Sequence, residues 1–223
     1  MNVGTCINPP YHPPWGGPRP GPGPVYSNLR VVILNDFGYN FGMLKWEEIP
    51  GNEHVKRALE VAAVGYHPVL FVPFDIELAE DFEKYASSLG VKVTKIEPAE
   101  FEAAIRLRFS IPIQVAILQP EPFEIVRMVG YGAKGESFDE LKKRIEGAQD
   151  FRRRVSEVFS GKEDIILEDI KIYGIGLGLF LQMFQVARSC AALEKNEKVD
   201  AWHWKEALAL WRSAELALVA KKI

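Results

Sequence analysis

Residues 49–75 read IPGNEHVKRALEVAAVGYHPVLFVPFD, and this stretch decides which fold we expect. Its first part places apolar residues at the spacing of an amphipathic helix, with Asn52 as a plausible N-cap. The run 69–72 is short and wholly apolar, which is typical of a buried strand. Asp75 is then suited to cap a second helix. Helix, strand and helix in this order indicate an α/β protein.

The same alternation continues along the first half of the chain. Three more strands are predicted, at 30–34, 91–96 and 111–118. Two helices are predicted between the strands, the one that Asp75 caps at 76–89 and a further one at 98–105. Strands separated by helices favour a parallel sheet. We therefore expect an α/β core at residues 29–130, with a mainly parallel sheet flanked by helices.

The second half of the chain is predicted to be wholly helical. Its helices are expected at 137–158, 175–194 and 200–220. Ser137 and Glu140 have the spacing of a capping box, and Asp200 is suited to cap the last helix. We expect a helical domain at residues 131–223, packed as a lid after the α/β core.

Proline and glycine dominate residues 1–28, which excludes a helix or a central strand there. This stretch is predicted to form an extended arm. Tyr11 and Trp15 would let the arm bind a partner protein, although proline-rich ends also serve as plain spacers.

The composition is that of an ordinary globular protein. The chain has 223 residues, a net charge of -3 and two cysteines, Cys6 and Cys190. Two cysteines are too few for a disulfide framework or a metal cage, so we expect reduced thiols. Neither a membrane-spanning run nor a signal peptide is evident in the sequence. These features predict a cytoplasmic protein that needs no membrane.

Several stretches resemble one known family when taken in order. Residues 46–67 read WEEIPGNEHVKRALEVAAVGYH and look like the start of the core of magnesium-chelatase-like AAA+ ATPases, in their ComM/YifB branch. Residues 184–194, FQVARSCAALE, and 199–208, VDAWHWKEAL, resemble the helical lid of that branch. Residues 108–122 are similar to the segment that joins core to lid, and residues 144–154 resemble the helix that follows it. The resemblance implies a P-loop-like core followed by an all-helical lid.

The parts of that family that bind and cleave a nucleotide have no counterpart here. The phosphate loop should follow Val72, but the chain continues Pro73-Phe74-Asp75, and no Gly-x-x-x-x-Gly-Lys-Ser/Thr occurs in the sequence. An acidic pair for magnesium is missing as well, and the arginine of the family's lid falls on Gly178. The resemblance therefore implies a degenerate relative that does not hydrolyse ATP and holds no cofactor or metal. It leaves, as residues of a residual nucleotide pocket, Ile49, Gly51, His67, Asp75 and Gly178.

Other candidate sites rest on single local patterns. Residues 174–178, Gly-Ile-Gly-Leu-Gly, invite a phosphate-loop interpretation, but they follow no strand and are better explained as a flexible helix start. The histidines His12, His54, His67 and His203 lack metal-ligand spacing. His54 and His67, at the two ends of one predicted helix, are interpreted as surface or capping residues.

Two sets of residues are candidates for binding a partner. The basic set is Arg152, Arg153 and Arg154, which either belongs to a solvated, ion-paired helix face or contacts nucleic acid or an acidic partner. The aromatic set is Trp202, Trp204 and Trp211, which either packs in a core or interface or stacks on bases.

Three functions follow from these observations. The first is a non-hydrolysing AAA+-like scaffold or regulatory subunit that binds proteins or itself. The second is a Rossmann-like enzyme with a small ligand or a metal at the carboxyl ends of its strands, where Asp36 and Asp75 would stand. The third is a DNA-processing accessory protein that binds through residues 152–154.

Overall fold

The computed structural model describes residues 44–104, 110–121, 123–124 and 135–221. All of them belong to the unit Met43–Ile223. The predicted arm with Tyr11 and Trp15, the predicted strand at 30–34 and Asp36 lie outside the described residues, as does the predicted domain boundary at residue 130.

Three parallel strands form the sheet in the described part of the chain. They are β1 (Val69–Pro73), β2 (Val93–Lys95) and β3 (Ile113–Ile117), and β1 lies between the other two. Val69 pairs with Val93 on one side and with Ile113 on the other. The parallel arrangement confirms the predicted α/β class.

Helices alternate with these strands and then continue alone. The seven α-helices of the described residues are α1 (Glu53–Gly65), α2 (Ile76–Ser88), α3 (Pro98–Ala104), α4 (Phe138–Arg152), α5 (Glu163–Tyr173), α6 (Leu177–Leu193) and α7 (Ala201–Ala220). A helical C-terminal part follows the sheet, as the sequence predicted. None of the described helices has both the length and the apolar character needed to cross a membrane.

The central strand β1 is buried on both faces of the sheet, which explains why it is continuously apolar. Val69 and Phe71 belong to one core cluster, together with side chains of α1, α2, α4 and α6. Leu70 and Val72 belong to a second cluster, together with side chains of α3 and the end of α7. Full burial of a side chain as large as Phe71 stabilises the fold by roughly 1.5–3 kcal/mol.

The C-terminal helices pack directly on the α/β layers. Helix α7 lies against β3, and α6 lies against α1 and α4. Helices α5, α6 and α7 also share a third apolar cluster, built around the fully buried Trp204 and Met183. The indole Nε1 of Trp204 donates to Asp169 Oδ2 at 2.9 Å, so this buried polar group is satisfied.

Most of the predicted helix starts are confirmed. Asp75 accepts a hydrogen bond from the Leu78 amide at 3.0 Å, and Asp200 caps α7 through the amides of Trp202 and His203. The predicted capping box at the start of α4 is also present.

Asn52 precedes α1 as predicted but does not cap it. Its backbone is left-handed, with φ of 55°, and its side chain makes no capping bond. The side chain bonds instead to the residue after β3: Nδ2 donates to the Leu118 carbonyl at 2.8 Å, and Oδ1 accepts from the Leu118 amide at 2.9 Å. The Asn52 side chain thus makes a tertiary contact with Leu118 instead of a capping bond within α1. Asparagine suits this position because it adopts the left-handed backbone conformation more readily than most residues.

The helix predicted at 137–158 is shorter than expected. It ends at Arg152, because the chain beyond it pairs with the segment before α7. Ser156 donates to the Glu197 carbonyl at 2.8 Å, Ser160 donates to the Val199 carbonyl at 2.9 Å, and Phe159 forms an isolated bridge with Val199. Helix α5 was not predicted, although Gly174, with φ of 56°, ends it in the usual way.

Candidate functional site

The turn that follows β1 is bonded to the end of β3. The amides of Phe74 and Asp75 both donate to the carbonyl of Ile117, at 2.9 and 3.2 Å. In a phosphate-binding loop, amides at this position would point at the ligand. Here two of them satisfy a strand carbonyl of the same chain.

The first turn of α2 carries its own negative group. The Asp75 carboxylate accepts the Leu78 amide and sits at the positive end of the helix dipole. Glu77 follows in the same turn. An incoming phosphate would therefore meet like charge where a binding loop offers amides and a lysine.

The residues before and within the first turn of α1 complete this edge of the sheet. Besides the Asn52–Leu118 pair, Nε2 of His54 lies 2.7 Å from the carbonyl of Ala116 in β3, so Nε2 is the donor. Gly51 has φ of 64°, and a Cβ built there would lie 2.5 Å from the Glu124 carboxylate. Glycine at position 51 thus allows that carboxylate to approach the backbone closely.

The residues predicted to line a residual nucleotide pocket have different surroundings. Gly51 and Asp75 both lie at the carboxyl edge of the sheet, beside the end of β3. Ile49 is buried in the main core cluster and has no polar side chain to offer. His67 precedes β1 and so lies at the opposite edge, roughly 15 Å away for a strand of this length. Gly178 is exposed in the first turn of α6.

His67 lies in a polar cluster that the sequence did not predict. Its Nε2 is 2.9 Å from the hydroxyl of Ser189, and this hydroxyl also accepts from Arg152 Nε at 3.2 Å and donates to the Gln185 carbonyl at 3.1 Å. Because the hydroxyl proton is directed to Gln185, the bond pattern places the His67 proton on Nε2.

Burial dominates the electrostatics of His67. Desolvation, followed by the charge of Arg152, lowers its pKa to about 4. The imidazole is therefore neutral at physiological pH. Ser189 and His67 are close enough for a nucleophile and a base, but Ser189 is fully buried and its proton points away from the imidazole. The pair consequently acts as a structural bond between α6 and the end of α1.

The three adjacent arginines have different surroundings. Arg152 turns inward, where Nη2 donates to Gln185 Oε1 at 2.9 Å in addition to its bond with Ser189. Arg153 and Arg154 are exposed, and the Arg154 guanidinium lies over the Phe151 ring at 5.7 Å. Arg153 and Arg154 are thus the exposed members of the set, whereas the Arg152 guanidinium is bonded to side chains of α6.

The three tryptophans of α7 also differ in how far their side chains are exposed. Trp204 is fully buried, and Trp211 packs, partly buried, against the same cluster. Trp202 is 68% exposed. Trp204 and Trp211 therefore pack within the helical core, and Trp202 alone of the three offers a broad face to solvent.

Residues 174–178 form the junction between α5 and α6. Gly174 ends α5, and Gly176 precedes the first residue of α6. No strand leads into this junction in the described part of the chain, which fits a helix start better than a phosphate loop. Within the described residues there is also no group of three or more His, Cys, Asp or Glu side chains placed to hold a metal ion.

The polar cluster could not have been found from sequence spacing. His67 and Ser189 are 122 positions apart, and Arg152 and Ser189 are 37 apart. One local signal existed: Gln185, Arg188 and Ser189 fall at i, i+3 and i+4 on one face of α6.

Comparison with known proteins adds no assignment to this geometry. No protein-family model matches the chain, and a search of curated proteins finds none that is significantly similar to it.

Gly65 is the position at which the polar cluster excludes any side chain. A Cβ there would overlap with His67 Nε2 and with Ser189 Oγ. We expect Gly65→Ala to lower the free energy of unfolding by about 2–3 kcal/mol, measured by urea denaturation.

The matched control is Gly147→Ala in α4, where an added Cβ meets nothing within 4 Å. This variant should be more stable by about 0.5–1 kcal/mol, since alanine is the better helix former. Equal effects of the two substitutions would show that the His67–Ser189 contact does not constrain position 65.

The lowered pKa of His67 predicts a pH dependence of stability. An unfolded histidine titrates near 6.5 and the folded one near 4, so the unfolded chain binds more protons between these values. The stabilisation is complete above pH 6.5 and is lost as the pH falls to 4, by about 3 kcal/mol in total.

Denaturation curves between pH 4 and 7 measure this dependence. His67→Gln, which cannot titrate, should show a shallower slope than the wild type over that window. Parallel curves for the two proteins would contradict the assignment of the slope to His67.

Proposed function

We propose that this protein is a non-hydrolysing AAA+-like scaffold or regulatory subunit that acts by binding proteins. The observation that carries the proposal is the turn after β1. Both amides of Phe74 and Asp75 are bonded to Ile117, and the following helix is capped by a carboxylate. The α/β framework is therefore retained, but the two backbone amides that would face a phosphate in a phosphate-binding loop are hydrogen-bonded to the protein itself.

A surface for partners is available on the C-terminal helices. Leu177 and Leu181, one turn apart on α6, are 74% and 52% exposed, and Ile172 near the end of α5 is 63% exposed. Large apolar side chains that face solvent in neighbouring turns are common at protein–protein interfaces. These three residues, which we call the α5–α6 surface, support binding of another protein or of a second copy.

The two other functions have weaker support. An enzyme at the strand ends would need Asp75 as a base or metal ligand, and its carboxylate already caps α2. A DNA-processing role is favoured only by the exposed Arg153 and Arg154.

Calorimetry with ATP and with ADP, each with magnesium, tests the nucleotide part of the proposal. We expect no binding at millimolar nucleotide and no release of phosphate above background, because the amides after β1 are occupied and Asp75 and Glu77 repel phosphate. Micromolar binding, or hydrolysis at the rates of an enzyme, would refute a non-hydrolysing scaffold.

The binding part of the proposal is tested with Leu177→Ser combined with Leu181→Ser. We expect this variant to lose the proteins, or the second copy, that co-purify with the full chain, because it removes most of the exposed apolar area of the α5–α6 surface. Light scattering detects a second copy, and affinity capture followed by mass spectrometry detects other proteins.

The control is Leu216→Ser combined with Val219→Ser, which removes two other exposed apolar side chains, from α7. It should leave the association unchanged. The idea is refuted if both double variants retain the same associated proteins and the same mass as the wild type.

A further inference from the structure

Two arginines converge on one neutral oxygen beside His67. Gln185 Oε1 accepts hydrogen bonds from Arg152 Nη2 at 2.9 Å and from Arg188 Nη1 at 3.3 Å. Arg152 ends α4, whereas Gln185 and Arg188 lie one turn apart on α6. The side-chain amide oxygen thus occupies a position at which two guanidinium groups would suit a negatively charged oxygen.

The positive charge at this point is poorly balanced. Among the described residues, Glu157 is the one acidic side chain that forms an ion pair with either guanidinium, at 3.5 Å from Arg188 Nη1, and it is 85% exposed. The Arg188 side chain is only 11% exposed. The Val155 carbonyl accepts from Arg188 Nη2 at 2.9 Å, which satisfies one donor but neutralises no charge.

The remaining donors also indicate an incomplete site. Nε of Arg188 is buried and has no hydrogen-bond partner among the described residues. Unsatisfied buried donors are rare in folded proteins and call for an explanation. Burial, followed by the charge of Arg188, lowers the pKa of Arg152, so the two cations destabilise each other in this arrangement. His67 is neutral and therefore contributes no charge to this site.

We propose that Arg152 and Arg188 form a binding site for a single oxyanion, either a phosphate or a carboxylate group. The planar guanidinium presents paired donors that match both groups. The bound oxyanion takes the place of the Gln185 oxygen and of the weak Glu157 contact, and it supplies the charge that the two arginines lack. This site is separate from the carboxyl edge of the sheet and does not depend on the scaffold proposal.

Titration of the full-length protein with inorganic phosphate and, separately, with acetate tests the site. The arginine Nε–H signals are followed by NMR, and sodium chloride at the same ionic strength is the reference. We expect a saturable shift of the Arg152 and Arg188 signals, and the tighter of the two anions identifies the group. Arg152→Gln should weaken binding about tenfold or more, because it removes charge-assisted hydrogen bonds.

Two further variants keep the test decisive. Arg153→Gln removes the same charge from the exposed neighbouring position and should change the affinity less than about twofold, since exposed charges contribute little. Gln185→Glu places a carboxylate where the two guanidinium groups already meet. This variant should unfold at a higher temperature than the wild type and should no longer bind either anion.

In the titrations of the wild type and the arginine variants, two results would overturn the proposal. One is a shift that follows ionic strength alone, with chloride as effective as phosphate and acetate. The other is equal loss of binding in Arg153→Gln and Arg152→Gln, which would indicate a diffuse positive field. A Gln185→Glu variant that still binds the anions like the wild type would also refute the site, even if Arg152→Gln does not fold.

Discussion

The backbone groups at the carboxyl end of β3 hold the neighbouring segments of this sheet edge in place. Ile117 holds the turn after β1 through two amides, and the next residue, Leu118, is held through both of its backbone groups by the Asn52 side chain. These bonds tie α1, β1 and β3 together at one point. A backbone edge satisfied by its own chain has few donors left for a ligand, which is why we propose binding of proteins rather than of nucleotide.

A second set of polar contacts fastens the opposite edge. His67 links the end of α1 to Ser189 in α6, and Arg152 brings the end of α4 to the same hydroxyl. The two edges differ in how completely they are satisfied. At the carboxyl edge the backbone groups of Ile117 and Leu118 are paired within the chain, whereas at the amino edge two cations share one neutral oxygen. The unbalanced edge is therefore the better place to expect a ligand.

The α/β class, the helical C-terminal part and the caps at Asp75, Ser137 and Asp200 could be predicted because each depends on residues a few positions apart. Continuous apolar strands and helical spacing are local signals of this kind. Asn52 shows where such reasoning stops. Its type and position were those of an N-cap, yet its side chain bonds to a residue 66 positions away. Likewise, α4 ends early because its continuation pairs with residues 197–199.

Local signals in the sequence were enough to predict the parallel sheet and the order of most elements, and the sequence also shows that Pro73-Phe74-Asp75 follows Val72 and that no phosphate-loop motif occurs. The tertiary structure was needed to show that His67 and Asp75 lie at opposite edges of the sheet, that Trp204 is buried while Trp202 is exposed, and that Arg152 and Arg188 meet at Gln185. The reason is that hydrogen bonds and charge pairs between distant segments depend on how helices pack around the sheet. That packing leaves no fixed spacing in the chain from which the contacts could be read.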